Sequence, residues 1–133
     1  MKQAIFVDTS YILALVNTAD KYHERARIGA VRIAPPFVTT EAVLAEVGNA
    51  LSQLRWRALG VATLRDLRNS RNVQIIAVDT PLFDRAFNLY AERRDKEWGL
   101  TDCISFVVMQ ELGLTGALTA DHHFEQAGFQ IVM

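Results

Sequence analysis

The chain has few of the residues that break or staple a fold: seven glycines, three prolines and one cysteine among 133 residues. The lone Cys103 cannot form an internal disulfide, and its apolar surroundings favour a buried side chain over a reactive thiol. No linker rich in proline, glycine or serine divides the sequence, and no internal repeat is present. We therefore expect one domain over residues 1–133, and nothing suggests secretion.

Long hydrophobic runs are missing as well. The longest, YILALV and CISFVVM, fall well short of the roughly 20 residues that a membrane span requires. An aspartate appears already at residue 8, too early for the apolar core of a signal peptide. We therefore predict a soluble, cytoplasmic protein with no membrane contact.

A charge excess of either sign is also absent, with 14 basic against 15 acidic residues and a pI near 6.3. This balance excludes a strong attraction of the whole surface to nucleic acid, which depends on accumulated lysine and arginine. A nucleic-acid substrate would require a local basic patch, a partner chain or metal ions.

Half of the residues are apolar, which is enough to build one continuous core. Five short segments that are apolar throughout are predicted as strands, at residues 4–7, 36–39, 73–78, 116–119 and 129–133. Segments with helical spacing separate them, at residues 10–17, 20–33, 40–53, 57–71, 81–98 and 101–113. Apolar strands that alternate with helices indicate a parallel sheet covered on both faces. The predicted fold class is α/β, a three-layer α/β/α sandwich.

Three aspartates follow predicted strands: Asp8, Asp79 and Asp121. In open parallel sheets, ligands collect outside the carboxyl ends of the strands, so these positions are candidates for a site. Capping is the alternative, because Asp8, Asp102 and Asp121 each stand near a helix start, where a cap contributes about 1 kcal/mol. Asp79 serves as a control, since the VDTP of residues 78–81 repeats the VDT of residues 7–9 but reads as an ordinary helix start.

Glu46 lies well inside a predicted helix, where neither capping nor the helix dipole explains it, unlike Glu41 in the first turn. Its helix face carries small and amide side chains that leave room for a ligand: Ala42, Asn49, Ala50 and Gln53. A bulky stripe packs beside that face, formed by Val43, Val47, Leu51 and Leu54. A solvated or ion-paired Glu46 remains the alternative.

The four candidate acids, Asp8, Glu46, Asp102 and Asp121, have no lysine or arginine within three positions in the sequence. Carboxylates that converge without cations repel one another unless a divalent cation is present. Oxygen ligands of this kind suit Mg²⁺ or Mn²⁺ rather than zinc. The histidines lack the spacing of a metal site, and we expect surface or helix-start roles for all three, His23, His122 and His123.

Together, four segments resemble the PIN-domain family of metal-dependent ribonucleases, most closely the VapC-like toxins of type II toxin-antitoxin pairs. The segments are IFVDTSYILAL, VTTEAVLAEVGNAL, GLTDCISFVVMQELG and GALTADHHFEQAGF, and the resemblance runs from residue 5 to the end of the chain. It implies a central parallel five-stranded sheet of order 3-2-1-4-5. That order would place Asp8 and Asp121 on adjacent central strands and Asp79 on an edge strand.

The resemblance also implies a catalytic site in which Asp8, Asp102, Asp121 and Glu46 bind Mg²⁺, with Mn²⁺ as a possible substitute. Asp8 would be the central ligand, and Glu46 a ligand or the acceptor of a proton from the attacking water. The supporting hydroxyls would be those of Thr9, Ser10 and Thr119. The implied activity is hydrolysis of RNA phosphodiester bonds, which leaves a 5′-phosphate and a 3′-hydroxyl. The implied partners are the RNA substrate, a cognate antitoxin protein and a second copy of the chain in a homodimer.

Basic and aromatic residues near the middle of the chain are candidates for contacts with partners. Arg55 and Arg57, with Arg65, Arg68 and Arg71 at three-residue spacing, could line a phosphate track, and Trp56 could stack on a base. The alternative is a solvated helix face with a partly buried tryptophan, and the same alternatives hold for RRDK at residues 93–96. Candidate anchors for a protein partner are Tyr11, Trp56 and Trp98.

Two other functions remain open. A non-catalytic PIN-like module would keep the acids for structure and bind a protein through apolar faces. A phosphatase would use Asp8 as its nucleophile, although VDTS lacks the second aspartate, two positions further on, that the commonest such motif carries.

Overall fold

The computed structural model describes residues 3–133. Five strands form one sheet: β1 (Ile5–Val7), β2 (Phe37–Thr40), β3 (Val73–Ile76), β4 (Gly116–Leu118) and β5 (Gln130–Ile131). Their order is β3-β2-β1-β4-β5, and every neighbouring pair is parallel. The predicted fold class and strand order are confirmed, with β1 at the centre of the sheet.

Within residues 3–133, seven helices connect the strands: α1 (Thr9–Val16), α2 (His23–Arg32), α3 (Glu41–Ala50), α4 (Leu54–Asn69), α5 (Thr80–Glu92), α6 (Leu100–Glu111) and α7 (His123–Gln126). The chain moves from β1 to β3 in one direction and then crosses to β4 and β5 in the other. Because parallel crossovers are right-handed, α1 to α4 cover one face of the sheet and α5 to α7 cover the opposite face. Contacts of α1 with α2 and α3, and of α6 with α5 and α7, agree with this layering.

The core joins α6 and α7 to the central strand through aromatic rings. The ring centroid of Phe106 lies 5.0 Å from those of both Trp98 and Phe124, and Phe124 lies 6.1 Å from Phe6 on β1. Seven consecutive residues of α6 are buried, from Cys103 to Met109, so this helix is apolar nearly all round. The burial predicted for Cys103 is confirmed, and burial raises the pKa of its thiol to about 11.

Several predicted helix boundaries differ from those of the structure, and two of the differences change the packing. The helix predicted to reach residue 98 ends at Glu92, and Trp98 lies beyond it, where its ring packs onto Phe106 and its indole N–H donates to Gln126 Oε1 at 3.0 Å. Leu54 was predicted to extend the apolar stripe of α3, yet it is 95% exposed. The reason is that α3 ends at Ala50 and a new helix begins at Leu54, which breaks the helical period. Within residues 3–133, no helix has the length and apolar character needed to cross a bilayer.

Candidate active site

Asp8 lies at the carboxyl end of the central strand. It occupies the N-cap position of α1, but its side chain makes no capping hydrogen bond. Instead, Oδ2 accepts hydrogen bonds from Ser10 Oγ at 3.0 Å and from Thr119 Oγ1 at 2.8 Å. The residue is only 4% exposed, and none of the ion pairs among residues 3–133 includes it. The side chain of Asp8 therefore does not cap α1, and its role as a metal ligand stays a prediction.

Burial has a direct effect on the protonation of this carboxyl group. It raises the pKa of Asp8 to about 6, and the nearby charge of Asp102 acts in the same direction. The hydroxyls of Thr119 and Ser10 and the backbone N–H of Thr9 oppose the shift, but they do not cancel it. An ionised Asp8 thus lacks the compensation that a nearby cation would supply.

The hydroxyls predicted as supports tie the start of α1 to the end of β4. The oxygens of Ser10 and Thr119 lie 3.0 Å apart. The backbone N–H of Ala120 donates to Ser10 Oγ at 2.9 Å, and that of Asp121 donates to Thr119 Oγ1 at 2.9 Å. This network fixes the position of Asp121 relative to Asp8, although the two residues lie more than a hundred positions apart in the sequence.

Glu46 reaches this region from α3. It is exposed, and its Oε1 accepts a hydrogen bond from Thr9 Oγ1 at 2.7 Å, immediately beside Asp8. Glu46 lines an open groove of about 400 Å³ that also includes Ala42 and Asn49, two of the predicted small and amide neighbours. Gln53 was expected on the same face, but it lies beyond the end of α3, at the N-cap of α4.

Asp102 extends from the first turn of α6. The helix begins at Leu100, so Asp102 is its third residue and not its N-cap, but it still makes a capping contact with the N-cap residue, in partial agreement with the capping alternative. Its Oδ2 accepts a hydrogen bond from the backbone N–H of Gly99 at 3.2 Å. Burial raises the pKa of Asp102, the charge of Asp121 raises it further, and hydrogen bonding to His123 opposes the shift.

Asp121 lies in the connection between β4 and α7. Its Oδ1 accepts a hydrogen bond from the backbone N–H of His123 at 2.9 Å, so the carboxylate supports the start of the short helix as the capping alternative anticipated. The same oxygen lies 3.3 Å from Nδ1 of His123. Asp121 therefore combines a local structural contact with a position next to Asp102.

His123 is the site residue that the sequence analysis missed. Its Nδ1 lies 3.1 Å from Asp102 Oδ2, and the side chain is 20% exposed. We expected only a surface or helix-start role; the residue does begin α7, but its ring enters the acid site because the next residue, Phe124, is anchored in the core. His122 keeps its predicted surface position, with 72% of its side chain exposed. The available signal was the position of His123 between Asp121 and a core phenylalanine.

The control residue Asp79 behaves as predicted. It is the N-cap of α5, and its Oδ1 accepts a hydrogen bond from the backbone N–H of Leu82 at 3.0 Å. It follows the edge strand β3, whereas Asp8 follows the central strand. The same VDT tripeptide thus has two different structural roles.

The acids offer the oxygen ligands that a divalent cation requires, although Asp8 and Asp102 are not in the one group among residues 3–133 whose potential ligand atoms all lie within 4.8 Å of one another. Asp8, Asp102 and Asp121 come from three separate segments, and the charge of Asp102 raises the pKa of Asp8 while the charge of Asp121 raises that of Asp102. His123 also brings potential ligand atoms close to Asp121, because those of Asp121, His122 and His123 lie within 4.8 Å of one another. Carboxylate oxygens are the ligands that hard divalent ions prefer, and such an ion would supply the positive charge that Asp8 lacks.

The basic and aromatic candidates lie apart from the acids. The Arg55 guanidinium lies 5.3 Å from the ring centroid of Trp56, and Arg57 donates to the carbonyl of Ser52 at 2.7 Å. Both arginines are exposed and Trp56 is partly buried, which is the solvated-face arrangement. Across residues 3–133, no hydrogen bond or ion pair joins them to the four acids.

Two of the three predicted anchors for a protein partner are wrong. Tyr11 and Trp98 are each only 6% exposed, because both pack into the core of the chain itself. Large exposed aromatic side chains occur instead on α5, at Phe83, Phe87 and Tyr90. Spacing alone did not distinguish core aromatics from surface aromatics.

Comparisons with known proteins find similar proteins over nearly the whole chain. The 23S rRNA-specific endonuclease VapC20 of Mycobacterium tuberculosis is 31% identical over 125 residues, which cover 94% of this chain and 95% of that protein. The crystal structure of VapC20, described as a Sarcin-Ricin loop cleaving toxin, aligns with a TM-score of 0.88 at 30% identity. The alignment covers 95% of this chain and 96% of that one.

More distant solved structures share the fold. FitAcB from Neisseria gonorrhoeae aligns with a TM-score of 0.70 at 18% identity, over 96% of this chain and 95% of that one. VapBC2 from Rickettsia felis, bound to a DNA fragment from their promoter, aligns with a TM-score of 0.67 at 14% identity, over 97% of each chain. The sequence also matches the PIN domain family over residues 5–130. The chain therefore belongs to the PIN domain family.

Proposed function

We propose that this chain is a Mg²⁺-dependent endoribonuclease that acts as the toxin of a toxin-antitoxin pair. The observation that carries the proposal is Asp8, a buried carboxylate without a cationic partner among the described residues. The charge of Asp102 acts on it, Thr119 connects it to Asp121, and its neighbour Thr9 bonds to Glu46. The similarity to a 23S rRNA-specific endonuclease over nearly the whole chain supports RNA as the substrate. Ribosomal RNA is accordingly the first substrate to test.

Asp8, Asp102, Asp121 and Glu46 are the residues that would hold Mg²⁺, and Mn²⁺ would be accepted by the same oxygen ligands. When bound, such an ion lowers the pKa of a water molecule and neutralises charge on the scissile phosphate. Without it, these carboxylates repel the RNA backbone. Metal binding is therefore required for substrate binding as well as for hydrolysis.

The residues of the chain have separate roles in this mechanism. The hydroxyls of Ser10 and Thr119 hold Asp8 Oδ2 in a fixed orientation. Thr9 holds Glu46, the one exposed carboxylate of the four, beside the open groove. As the alternative to binding the ion directly, Glu46 would accept the proton of the attacking water, because its exposed carboxylate can exchange that proton with solvent. Hydrolysis leaves a 5′-phosphate and a 3′-hydroxyl.

The proposal includes three statements about location and partners. The toxin acts in the cytoplasm, where ribosomal RNA is located, and a cognate antitoxin protein inhibits it. It pairs with a second copy through α5, which exposes Phe83, Phe87 and Tyr90, with the last two rings stacked at 6.4 Å. Aromatic side chains exposed together on a helix are typical of a protein interface.

Substitution of Asp8 by asparagine tests the site. Asn keeps the shape of the side chain but is a poor metal ligand, so we expect Asp8→Asn to abolish cleavage of ribosomal RNA in Mg²⁺. Asp79→Asn is the matched control, since Asn caps helices about as well as Asp, and it should cleave like the parent. Circular dichroism verifies that both variants are folded. Cleavage by Asp8→Asn at the rate of the parent would show that the site assignment is wrong.

A thermal experiment distinguishes the enzyme from the protein-binding module. Millimolar Mg²⁺ or Mn²⁺ should raise the melting temperature of the parent by mass action, and raise that of Asp8→Asn much less. Equal melting temperatures with and without metal in the parent would favour the non-catalytic module.

The phosphatase alternative is disfavoured by the position of Asp8. Its side chain is only 4% exposed, and one of its two oxygens accepts hydrogen bonds from two hydroxyls, so it is poorly placed to attack a substrate.

A further inference from the structure

His123 connects two acidic residues that come from different parts of the fold. Its Nδ1 lies 3.1 Å from Asp102 Oδ2 on α6 and 3.3 Å from Asp121 Oδ1 in the connection after β4. Its backbone N–H donates to the same Asp121 oxygen at 2.9 Å. Because an ionised carboxylate only accepts hydrogen bonds, the ring nitrogen that bonds to Asp102 carries the hydrogen.

The core holds this nitrogen in place. The next residue, Phe124, is fully buried, and its ring centroid lies 5.0 Å from that of Phe106 and 6.1 Å from that of Phe6. Phe106 belongs to α6, the helix that carries Asp102. The packing that anchors α7 therefore also sets the distance between the His123 ring and Asp102.

We propose that His123 is a positioning residue of the metal site: its ring Nδ1–H orients Asp102 while its backbone N–H orients Asp121, so that both carboxylates can bind one divalent cation. Two carboxylates that approach each other repel, and donors supplied to both by one residue reduce that repulsion before the ion arrives. The inference rests on the proposed metal site and assigns to His123 a role outside the four acids.

The neighbouring histidine shows what such a role requires. His122 Nδ1 lies 3.8 Å from Asp121 Oδ1, beyond good hydrogen-bond distance, and 72% of its side chain is exposed. It makes no contact of this kind with Asp102 among the described residues. His122 is therefore the matched control for His123.

The experiment compares four variants of the full chain: His123→Ala, His123→Asn, His123→Gln and His122→Ala. The amide N–H of Asn lies where Nδ1 lies, one bond beyond Cγ, whereas that of Gln lies one carbon further out. Loss of a hydrogen-bond partner of a metal ligand weakens metal affinity about 10- to 100-fold, so we expect this loss in the Ala and Gln variants. Asn should restore affinity to within about threefold of the parent, and His122→Ala should leave it unchanged.

Isothermal titration with Mn²⁺ measures the affinity, and melting in EDTA reports on folding. If the Ala variant does not fold, the comparison of Asn with Gln decides the outcome. Affinity in the Ala variant equal to or greater than that of the parent would overturn the inference, as would equal affinities in the Asn and Gln variants.

Electron paramagnetic resonance of bound Mn²⁺ provides a second test. Nitrogen hyperfine coupling in that spectrum would make His123 a direct ligand, contrary to the proposal. Failure of the parent to bind Mn²⁺, or full binding by Asp8→Asn, would instead contradict the proposed metal site itself.

Discussion

At the scale of single residues, Asp8 is a buried carboxyl group whose ionisation is opposed by desolvation. The side chain is buried and accepts two hydroxyl hydrogen bonds, yet no cation pairs with it among residues 3–133. Hydrogen bonds to neutral hydroxyls compensate only partly for lost hydration, which is why the pKa of Asp8 is raised to about 6. A buried carboxylate without a cationic partner reduces the stability of the metal-free protein, and its presence indicates a candidate binding site for a cation.

The pH dependence of stability follows from this shift. The pKa of Asp8 is raised from 3.8 to about 6, so the folded state favours the protonated carboxyl group. This stabilisation is complete below pH 3.8 and is lost as the pH rises through 6, where the carboxyl group ionises in the folded protein. The loss amounts to about 3 kcal/mol. Urea denaturation in EDTA should therefore show that Asp8→Asn gains stability relative to the parent between pH 4 and pH 7. A constant difference across this range would contradict the assigned pKa.

Metal should reverse this trend. Mg²⁺ binds ionised carboxylates and displaces their protons, so its stabilising effect grows as the pH rises. We expect millimolar Mg²⁺ to raise the melting temperature of the parent more at pH 7.5, above the pKa of Asp8 at about 6, than at pH 5. Differential scanning fluorimetry at both pH values measures this, and a larger effect at pH 5 would contradict ligation by Asp8.

At the scale of secondary-structure elements, the two VDT tripeptides show how context assigns a role. Asp79 follows an edge strand and caps α5 through the backbone N–H of Leu82. Asp8 follows the central strand, and there the end of β4 brings the hydroxyl of Thr119 to its carboxylate. A neighbouring strand on both sides, rather than the tripeptide itself, makes the Asp8 position a candidate site.

The cap of α5 provides a test at this scale. Asp79→Ala removes the hydrogen bond to Leu82 and should lower the free energy of unfolding by about 1 kcal/mol. RNA cleavage should stay unchanged, because Asp79 is not part of the acid site. Urea denaturation and a cleavage assay together check this, and reduced cleavage in a folded Asp79→Ala protein would extend the site to α5.

The start of α4 remains a candidate for substrate binding. If Arg55, Trp56 and Arg57 contact RNA, then Arg55→Gln and Trp56→Ala should raise KM for ribosomal RNA several-fold and leave kcat unchanged. Arg57→Gln also loses the bond to the Ser52 carbonyl, so its stability must be measured in parallel. Unchanged KM in all three variants would support the solvated-face alternative.

At the scale of the whole molecule, the aromatic cluster of α6 and α7 connects the site to the sheet. Trp98, Phe106, Phe124 and Phe6 form a continuous series of ring contacts across one face of the sheet. This core is shared by the central strand, by α6, which carries Asp102, and by α7, which follows Asp121. The chain should therefore unfold in one cooperative transition. Matching transitions by fluorescence and circular dichroism would support a single domain.

The proposed pairing of two copies is also a property of the whole molecule. Phe87 is 51% exposed on α5, so Phe87→Asp should place a charge in the interface and convert a dimer to monomers. Val31→Asp on α2 is the matched control, because Val31 is 80% exposed and lies on the opposite face of the sheet. Light scattering after size-exclusion chromatography measures the mass, and a dimer that persists in Phe87→Asp would contradict the assignment of this face.

The sequence by itself determined the succession of strands and helices along the chain, the α/β class and the four acidic candidates. These features depend on local patterns: apolar strands, helical spacing, and carboxylates without nearby lysine or arginine. The order of the strands within the sheet and the family followed from the resemblance of four segments to the PIN-domain family, not from the spacing of residues. The exposed Leu54 and the inward turn at Trp98 were missed, because a helix break and an aromatic packing contact depend on residues outside the local pattern.

Only the tertiary structure decided which aspartate caps and which lacks a capping bond, since that depends on the hydroxyl that a distant strand supplies. It also brought His123 between Asp102 and Asp121, because the packing of Phe124 on Phe106 and Phe6 orients a helix of only four residues. Local patterns identify the chemical groups of a site. Their mutual distances are determined by the core, which is built from residues far apart in the sequence.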